Sequence, residues 1–122
     1  AVFRTGEILQ EGVDAIKDVY SGIPDIGVSD RGMIWNTDLM ETLEFDNLIA
    51  QAAVTVNGAV NRTESRGAHA REDYPDRDDE NWMKHTCMWL DNKNQYSVLY
   101  RDVHQNPLSN EIEPIPPAAR VY

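Results

Sequence analysis

NTDLMETLEFDNLIAQAAVTVNGAVN, residues 36–61, is the stretch whose reading decides the fold of this chain. Asn36 ahead of Thr37, Asp38 and Leu39 is a helix start signal. From Leu39 to Val60 apolar side chains recur at Leu43, Leu48, Ile49, Ala52, Ala53, Val56, Ala59 and Val60, a helical period that predicts one long helix over 38–61. The many alanines imply close approach of another helix. Gly58 weakens the last turns by about 1 kcal/mol relative to alanine, so the helix is expected to fray or bend there.

Outward from that helix, the partner is legible upstream. Thr5 reads as a cap, Glu7 lies in the first turn at the positive end of the dipole, and Leu9, Val13, Ile16, Tyr20 and Ile23 recur at helical spacing. The predicted helix covers 5–21 and is stopped by Gly22 and Pro24. Turn-rich 23–34 connects the two, so 1–61 reads as a helical hairpin. Downstream, 62–83 is a charged loop. Segments 84–90 and 95–103 then bracket the polar tetrad Asp91-Asn92-Lys93-Asn94 and predict an antiparallel β-hairpin within 84–103. Tyr96, Val98 and Tyr100 alternate with Gln95, Ser97 and Arg101. Residues 104–122, with Pro107, Pro114, Pro116 and Pro117, are expected to form an extended tail that cannot enter a sheet centrally. There are no internal repeats, and 1–122 reads as a single domain.

The charged loop contains the most specific sequence in the chain, SRGAHAREDYPDRDDENWMKH at 65–85. Arg62, Arg66, Arg71, Arg77 and Lys84 are interleaved there with Glu64, Glu72, Asp73, Asp76, Asp78, Asp79 and Glu80. A disordered acidic tail does not alternate signs in this way. With Gly67, Pro75 and Trp82, the pattern predicts an ordered loop held by Arg–carboxylate forks.

Bulk properties exclude several function classes. A net charge of −10 and a pI near 4.5 argue against nucleic acid, which is bound through clustered cations. The first 61 residues carry three cations against ten acids, a solvated acidic surface or the face of a soluble partner. No apolar run approaches bilayer length and no basic-then-apolar leader opens the chain, so the segment is expected to be soluble. A lone cysteine, Cys87, excludes an internal disulfide framework and fits a reducing compartment. Among Met83, Thr86, Met88, Trp89 and Leu90 it reads as a buried structural thiol.

SRGAHAREDYPDRDDENWMKHT, with Phe3-Arg4-Thr5, Ile34-Trp35-Asn36-Thr37-Asp38-Leu39 and the closing PPAARVY at 116–122, resembles the C-terminal end of succinate dehydrogenase and fumarate reductase flavoproteins. The resemblance covers nearly the whole chain and is most specific at 65–73 and at the C-terminus. It implies a mainly α fold, a truncated three-helix (spectrin-repeat-like) bundle followed by a small antiparallel β-hairpin and an extended Pro-rich tail. The chain would begin at the end of the first bundle helix, leaving only AVFR of it. Helices 5–21 and 38–61 would then lack a partner, and self-association of the fragment is expected.

The resemblance further implies a parent enzyme of the tricarboxylic acid cycle and electron transport. Such a parent oxidises succinate to fumarate through FAD and passes electrons by an iron–sulfur subunit to quinone. It would sit peripherally on the cytoplasmic side of a bacterial inner membrane or the mitochondrial matrix side. The family's flavin-binding and catalytic residues lie upstream, so no catalytic, cofactor-binding or metal residue is assigned here. Ser65, Arg66, His69, Arg71, Glu72 and Asp73 are assigned instead to fixing the loop and docking it on the flavin domain of the same subunit. Without that surface the loop is expected to be less ordered than the helices, or held by a neighbouring chain. A free-standing acidic protein–protein interaction module is the alternative function.

Other chemistry fails on its own requirements. His85 and Cys87 share a strand face that His69 would have to join for a zinc site, and no second Cys pair or HExxH pattern supports it. Asp76, Asp78 and Glu80 imitate a calcium loop but meet Asn81 where glycine is needed and Cys87 where Glu is needed, so their carboxylates are expected to pair with Arg71, Arg77 and Lys84. Asn61-Arg62-Thr63 matches a glycosylation acceptor without a secretory context. His69 with Glu72 or Asp73 has neither nucleophile nor phosphate loop beside it. Trp35, Trp82 and Trp89 are expected to be core or interface anchors.

Overall fold

The computed structural model describes residues 3–91 and 95–118. Two long helices, α1 (Gly6–Ser21) and α2 (Thr37–Asn61), are followed by a one-turn helix α3 (Asp79–Trp82) and two strands, β1 (Lys84–Leu90) and β2 (Tyr96–Asp102). Both helix starts follow the sequence signals. Thr5 Oγ1 accepts from Ile8 N–H and Asn36 Oδ1 from Leu39 N–H, satisfying donors that a helix leaves orphaned in its first turn. Gly22 ends α1, and Ile23–Asp25 add a single 3-10 turn with Pro24 inside it.

The two helices pack on each other, and β1 lies on α2. Small residues set both approaches. A Cβ at Gly12 would stand 3.3 Å from Val56 Cγ2, and one at Gly58 3.4 Å from Met88 Cγ. The expected fraying at Gly58 is therefore corrected: α2 runs unbroken to Asn61, and the missing side chain makes room for β1. The strands pair antiparallel with Lys84 opposite Asp102 and Leu90 opposite Tyr96. That register puts Thr86, Met88, Val98 and Tyr100 on one face, and His85, Cys87, Trp89 and Leu99 on the other. The turn tetrad, apart from Asp91, lies outside the described residues.

A bundle of three long helices is not found among the described residues, since the only helix besides α1 and α2 has four residues and the third layer is the hairpin. The core is thin. Leu9, Ile49 and Ala53 are the apolar side chains fully buried among those described, whereas Met33, Ile34 and Trp35 are 91%, 83% and 92% exposed. Trp35 and half-exposed Trp89 are thus outside the core. Trp82 is packed, edge-on to Tyr100 and flanked by the cations of Arg62 and Lys84. No strand or helix follows Asp102 among the described residues, and Leu108, Ile112 and Ile115 there are exposed. No helix is long and apolar enough to cross a membrane among the described residues.

Candidate functional site

Segment 62–83 is built around one carboxylate. Glu64 is wholly buried, and it accepts a two-pronged bond from Arg66 (Nε to Oε1 at 2.9 Å, Nη2 to Oε2 at 3.0 Å), a bond from Arg62 Nε at 2.8 Å, and the Asp78 N–H at 2.9 Å. Burial pushes the Glu64 carboxyl up, and the bonds from Arg66, the Asp78 backbone and Arg62 outweigh it, leaving its pKa below the ordinary value. Arg62 also donates to the carbonyls of Trp82 and Lys84 and to Thr86 Oγ1. One guanidinium thus ties the end of α2 to α3 and β1.

A second centre joins the helices' shared end. Arg71, 3% exposed, forks onto Asp73 at 2.7 and 2.6 Å and sends Nη1 to the carbonyls of Ala59, Val60 and Arg62. Asp73 Oδ2 in turn accepts the Gly6 N–H at 2.7 Å. The helices run antiparallel, so α1 starts beside the point where α2 ends. The cation therefore covers the negative end of α2 while its carboxylate partner covers the positive end of α1. Arg71 holds the Asp73 carboxyl well below the usual carboxylate range, with Gly6 adding to it.

The six residues assigned from sequence are brought together in this segment with unequal roles. Ser65 Oγ accepts from Arg71 N–H and donates to Tyr74 O. Arg66 and His69 exchange both backbone bonds across a turn in which Gly67 takes φ +60°, a region glycine enters at no steric penalty. The His69 ring bridges Arg4 Nη1 (3.1 Å from Nδ1) and the Arg62 carbonyl (3.0 Å from Nε2). A guanidinium only donates, so Nδ1 is the acceptor and Nε2 carries the proton. Burial holds this histidine's pKa down, helped by the charges of Arg4, Arg71 and Arg62 against the raising bond to Arg62 O. Glu72 contributes its backbone N–H, which donates to Arg4 O; its carboxylate is in none of these bonds.

Several expectations are corrected here. The loop is held from within its own chain, not loosened by want of a docking surface. Asp76, Asp78 and Glu80 do not pair with Arg71, Arg77 and Lys84: Arg71 takes Asp73, Arg77 takes Asp79, and the Lys84 ammonium lies over the rings of Tyr100 (4.2 Å) and Trp82 (4.9 Å). Asp78 instead caps α3, accepting from the N–H groups of Glu80 and Asn81. Cys87 is half-buried. Sequence reasoning missed Glu64 and Arg62, the two ends of the inner network. The available signal was spacing: Arg62, Glu64 and Arg66 fall at every second residue, which in an extended chain places all three on one side.

The cations of this segment are engaged by carboxylates, carbonyls or rings, and no group of three His, Cys, Asp or Glu is placed to hold a metal among the described residues.

The family model described as fumarate reductase flavoprotein C-term matches residues 1–122. The succinate dehydrogenase flavoprotein subunit of Rickettsia bellii is 53% identical over 122 residues, covering all of this chain and 20% of that protein. The mitochondrial succinate dehydrogenase flavoprotein subunit of Oryza sativa is 50% identical over 122 residues, covering all of this chain and 19% of that protein. Among solved structures, a mutant of E. coli quinol fumarate reductase FrdA superposes with a TM-score of 0.84 at 33% identity, covering all of this chain and 20% of that chain. The chain spans about a fifth of the length of the relatives it matches. It belongs to the family of fumarate reductase and succinate dehydrogenase flavoprotein C-terminal domains.

Proposed function

We propose that this domain serves a parent flavoprotein that oxidises succinate to fumarate through FAD and hands the electrons to an iron–sulfur subunit and on to quinone. The observation that carries this is the match of the whole chain, at 53% identity, to a succinate dehydrogenase flavoprotein subunit. The domain performs none of that chemistry. FAD is held in the part of the parent beyond these 122 residues, and the complex is peripheral to a bacterial inner membrane or the mitochondrial matrix face. Residues 1–61, 62–83, 84–103 and 104–122 act as one unit, with α1 and α2 as two members of a three-helix bundle that the parent completes and 104–122 as an extended tail. The exposed Ile8, Val19 and Leu48 on the two helices support that reading.

The role we assign to 62–83, with Ser65, Arg66, His69, Arg71, Glu72 and Asp73, is to dock the domain on the flavin domain of the same subunit. Two features support it: the loop is bonded within itself around Glu64 and Arg71, and it adjoins the start of α1 through the Glu72–Arg4 and Asp73–Gly6 bonds. In the full-length subunit, Arg66→Glu should lower flavin retention and assembly several-fold while leaving KM for succinate nearly unchanged. Wild-type flavin content and assembly in that variant would count against the docking role.

A further inference from the structure

Asn57 and Gly58 form a chemically labile pair. Of the nine asparagines in the chain, Asn57 alone is followed by glycine. The backbone nitrogen that follows an asparagine can attack the side-chain amide carbon, and glycine, with no Cβ and a freely turning backbone, obstructs that approach least. Asn36, Asn47, Asn61 and Asn81 precede Thr, Leu, Arg and Trp, whose side chains stand in the way.

The fold holds the pair apart. Both residues lie inside α2, which runs unbroken from Thr37 to Asn61. Helical backbone, with ψ of about −42°, carries the Gly58 nitrogen away from the Asn57 side chain, and the hydrogen-bond ladder of the helix engages its N–H. The side chain is also turned the opposite way: Asn57 Nδ2 donates to the Ala53 carbonyl at 2.8 Å, one turn back toward the start of the helix. Packing is what places glycine after it, since a Cβ at 58 would meet Met88 Cγ of β1 at 3.4 Å.

We propose that Asn57 is a deamidation site that the folded helix keeps closed, and that its conversion turns a transient opening of the α2 end into a permanent one. In the opened chain Gly58 N bonds to Asn57 Cγ, its proton leaves with the side-chain amide as ammonia, and a five-membered succinimide ring results. Water then opens the ring at one carbonyl or the other, giving aspartate or isoaspartate. Neither product restores the helix. Aspartate lacks the donor to Ala53 O and sets a carboxylate toward the negative end of the α2 dipole. Isoaspartate routes the backbone through the side-chain carbon, and the extra methylene breaks the ladder. The effect reaches segment 62–83, because Arg71 Nη1 is anchored on the carbonyls of Ala59, Val60 and Arg62 just beyond. The proposal goes beyond the docking role of that segment and does not depend on it.

The experiment incubates the full-length subunit at pH 8, in buffer and in denaturing urea, and follows the peptides holding Asn57 and Asn47 by mass spectrometry. In urea Asn57 should convert to a mixture of aspartate and isoaspartate, while Asn47, in the same helix and bonded likewise to the carbonyl four residues back, stays an amide. In buffer the conversion should be at least about tenfold slower, the ratio being set by how rarely that end of α2 opens. Gly58→Ala, whose added methyl the flexible Met88 side chain accommodates, should suppress the conversion in urea. Asn57→Asp should speed hydrogen exchange across 58–62 at least about tenfold in the folded subunit. An Asn57 that survives in urea, or converts as fast in buffer as in urea, overturns the site; unchanged exchange in Asn57→Asp overturns its consequence.

Discussion

At Glu64 and His69, protonation and folding are linked with the same sign. Glu64 is fully covered and its pKa is lowered, so its contribution to stability is complete above its ordinary value of 4.5 and is lost as pH falls through the lower folded value. His69 is also lowered, from 6.5. The unfolded chain takes up that proton first as the solution is acidified, so stability falls as pH drops below about 6.5. The His69 window opens at the higher pH, from 6.5 downward, and the Glu64 window from 4.5 downward. Urea titrations from pH 7.5 to 5.0 should show stability declining by no more than about 1.4 kcal/mol per pH unit from a single histidine. His69→Gln, which keeps an acceptor for Arg4 and a donor for the Arg62 carbonyl, should flatten that decline; an unchanged slope would assign it elsewhere. Glu64→Gln should cost about 3 kcal/mol at pH 7, since it leaves Arg62 and Arg66 facing a neutral group in a covered site. The role of Glu64 was not legible in sequence, whereas His69 is assigned there to fixing the loop. Seven acids crowd 62–84, and what distinguishes Glu64 is burial, which exists only once 76–82 has wrapped over it.

Helix boundaries, by contrast, are local chemistry, and Thr5, Gly22 and Asn36 announced them correctly because a cap needs only its own first or last turn. Contacts between elements are less visible. The alanines of α2 did signal close helix packing, yet Gly58 looked like a weakness until β1 was placed against it. The exchange between Arg71 and Asp73, one on the end of α2 and the other on the start of α1, depends on the two helices being antiparallel neighbours, which no single helix encodes. Gly12 offers a direct test of the α1–α2 seam. Its Cβ position is 3.3 Å from Val56 Cγ2, and a β-branched side chain has little rotamer freedom to retreat within a helix. Gly12→Leu should therefore destabilise the chain by roughly 1–3 kcal/mol through overpacking, despite leucine's better helix propensity. Thermal unfolding of the purified variant is the measurement, and a gain in stability would mean the seam is looser than drawn.

For the whole molecule, two opposing quantities govern how the isolated chain behaves. Only Leu9, Ile49 and Ala53 are buried apolar side chains among those described, while Ile8, Val19, Leu43, Leu48 and Leu99 are exposed, so apolar surface favours association. A net charge of −10, with ten acids against three cations in the first 61 residues, opposes it. The charge term is long-ranged at low salt and collapses as the screening length shrinks from about 10 Å at 0.1 M to about 3 Å at 1 M. The apolar term is not weakened by added salt. Self-association of the isolated chain through α1 and α2 should therefore strengthen with sodium chloride, visible as a rising mass by light scattering at micromolar concentration. A mass that falls with salt would mean that ion pairs, not apolar faces, join the copies, and a monomer at every salt concentration would mean the exposed faces are too dispersed to pair.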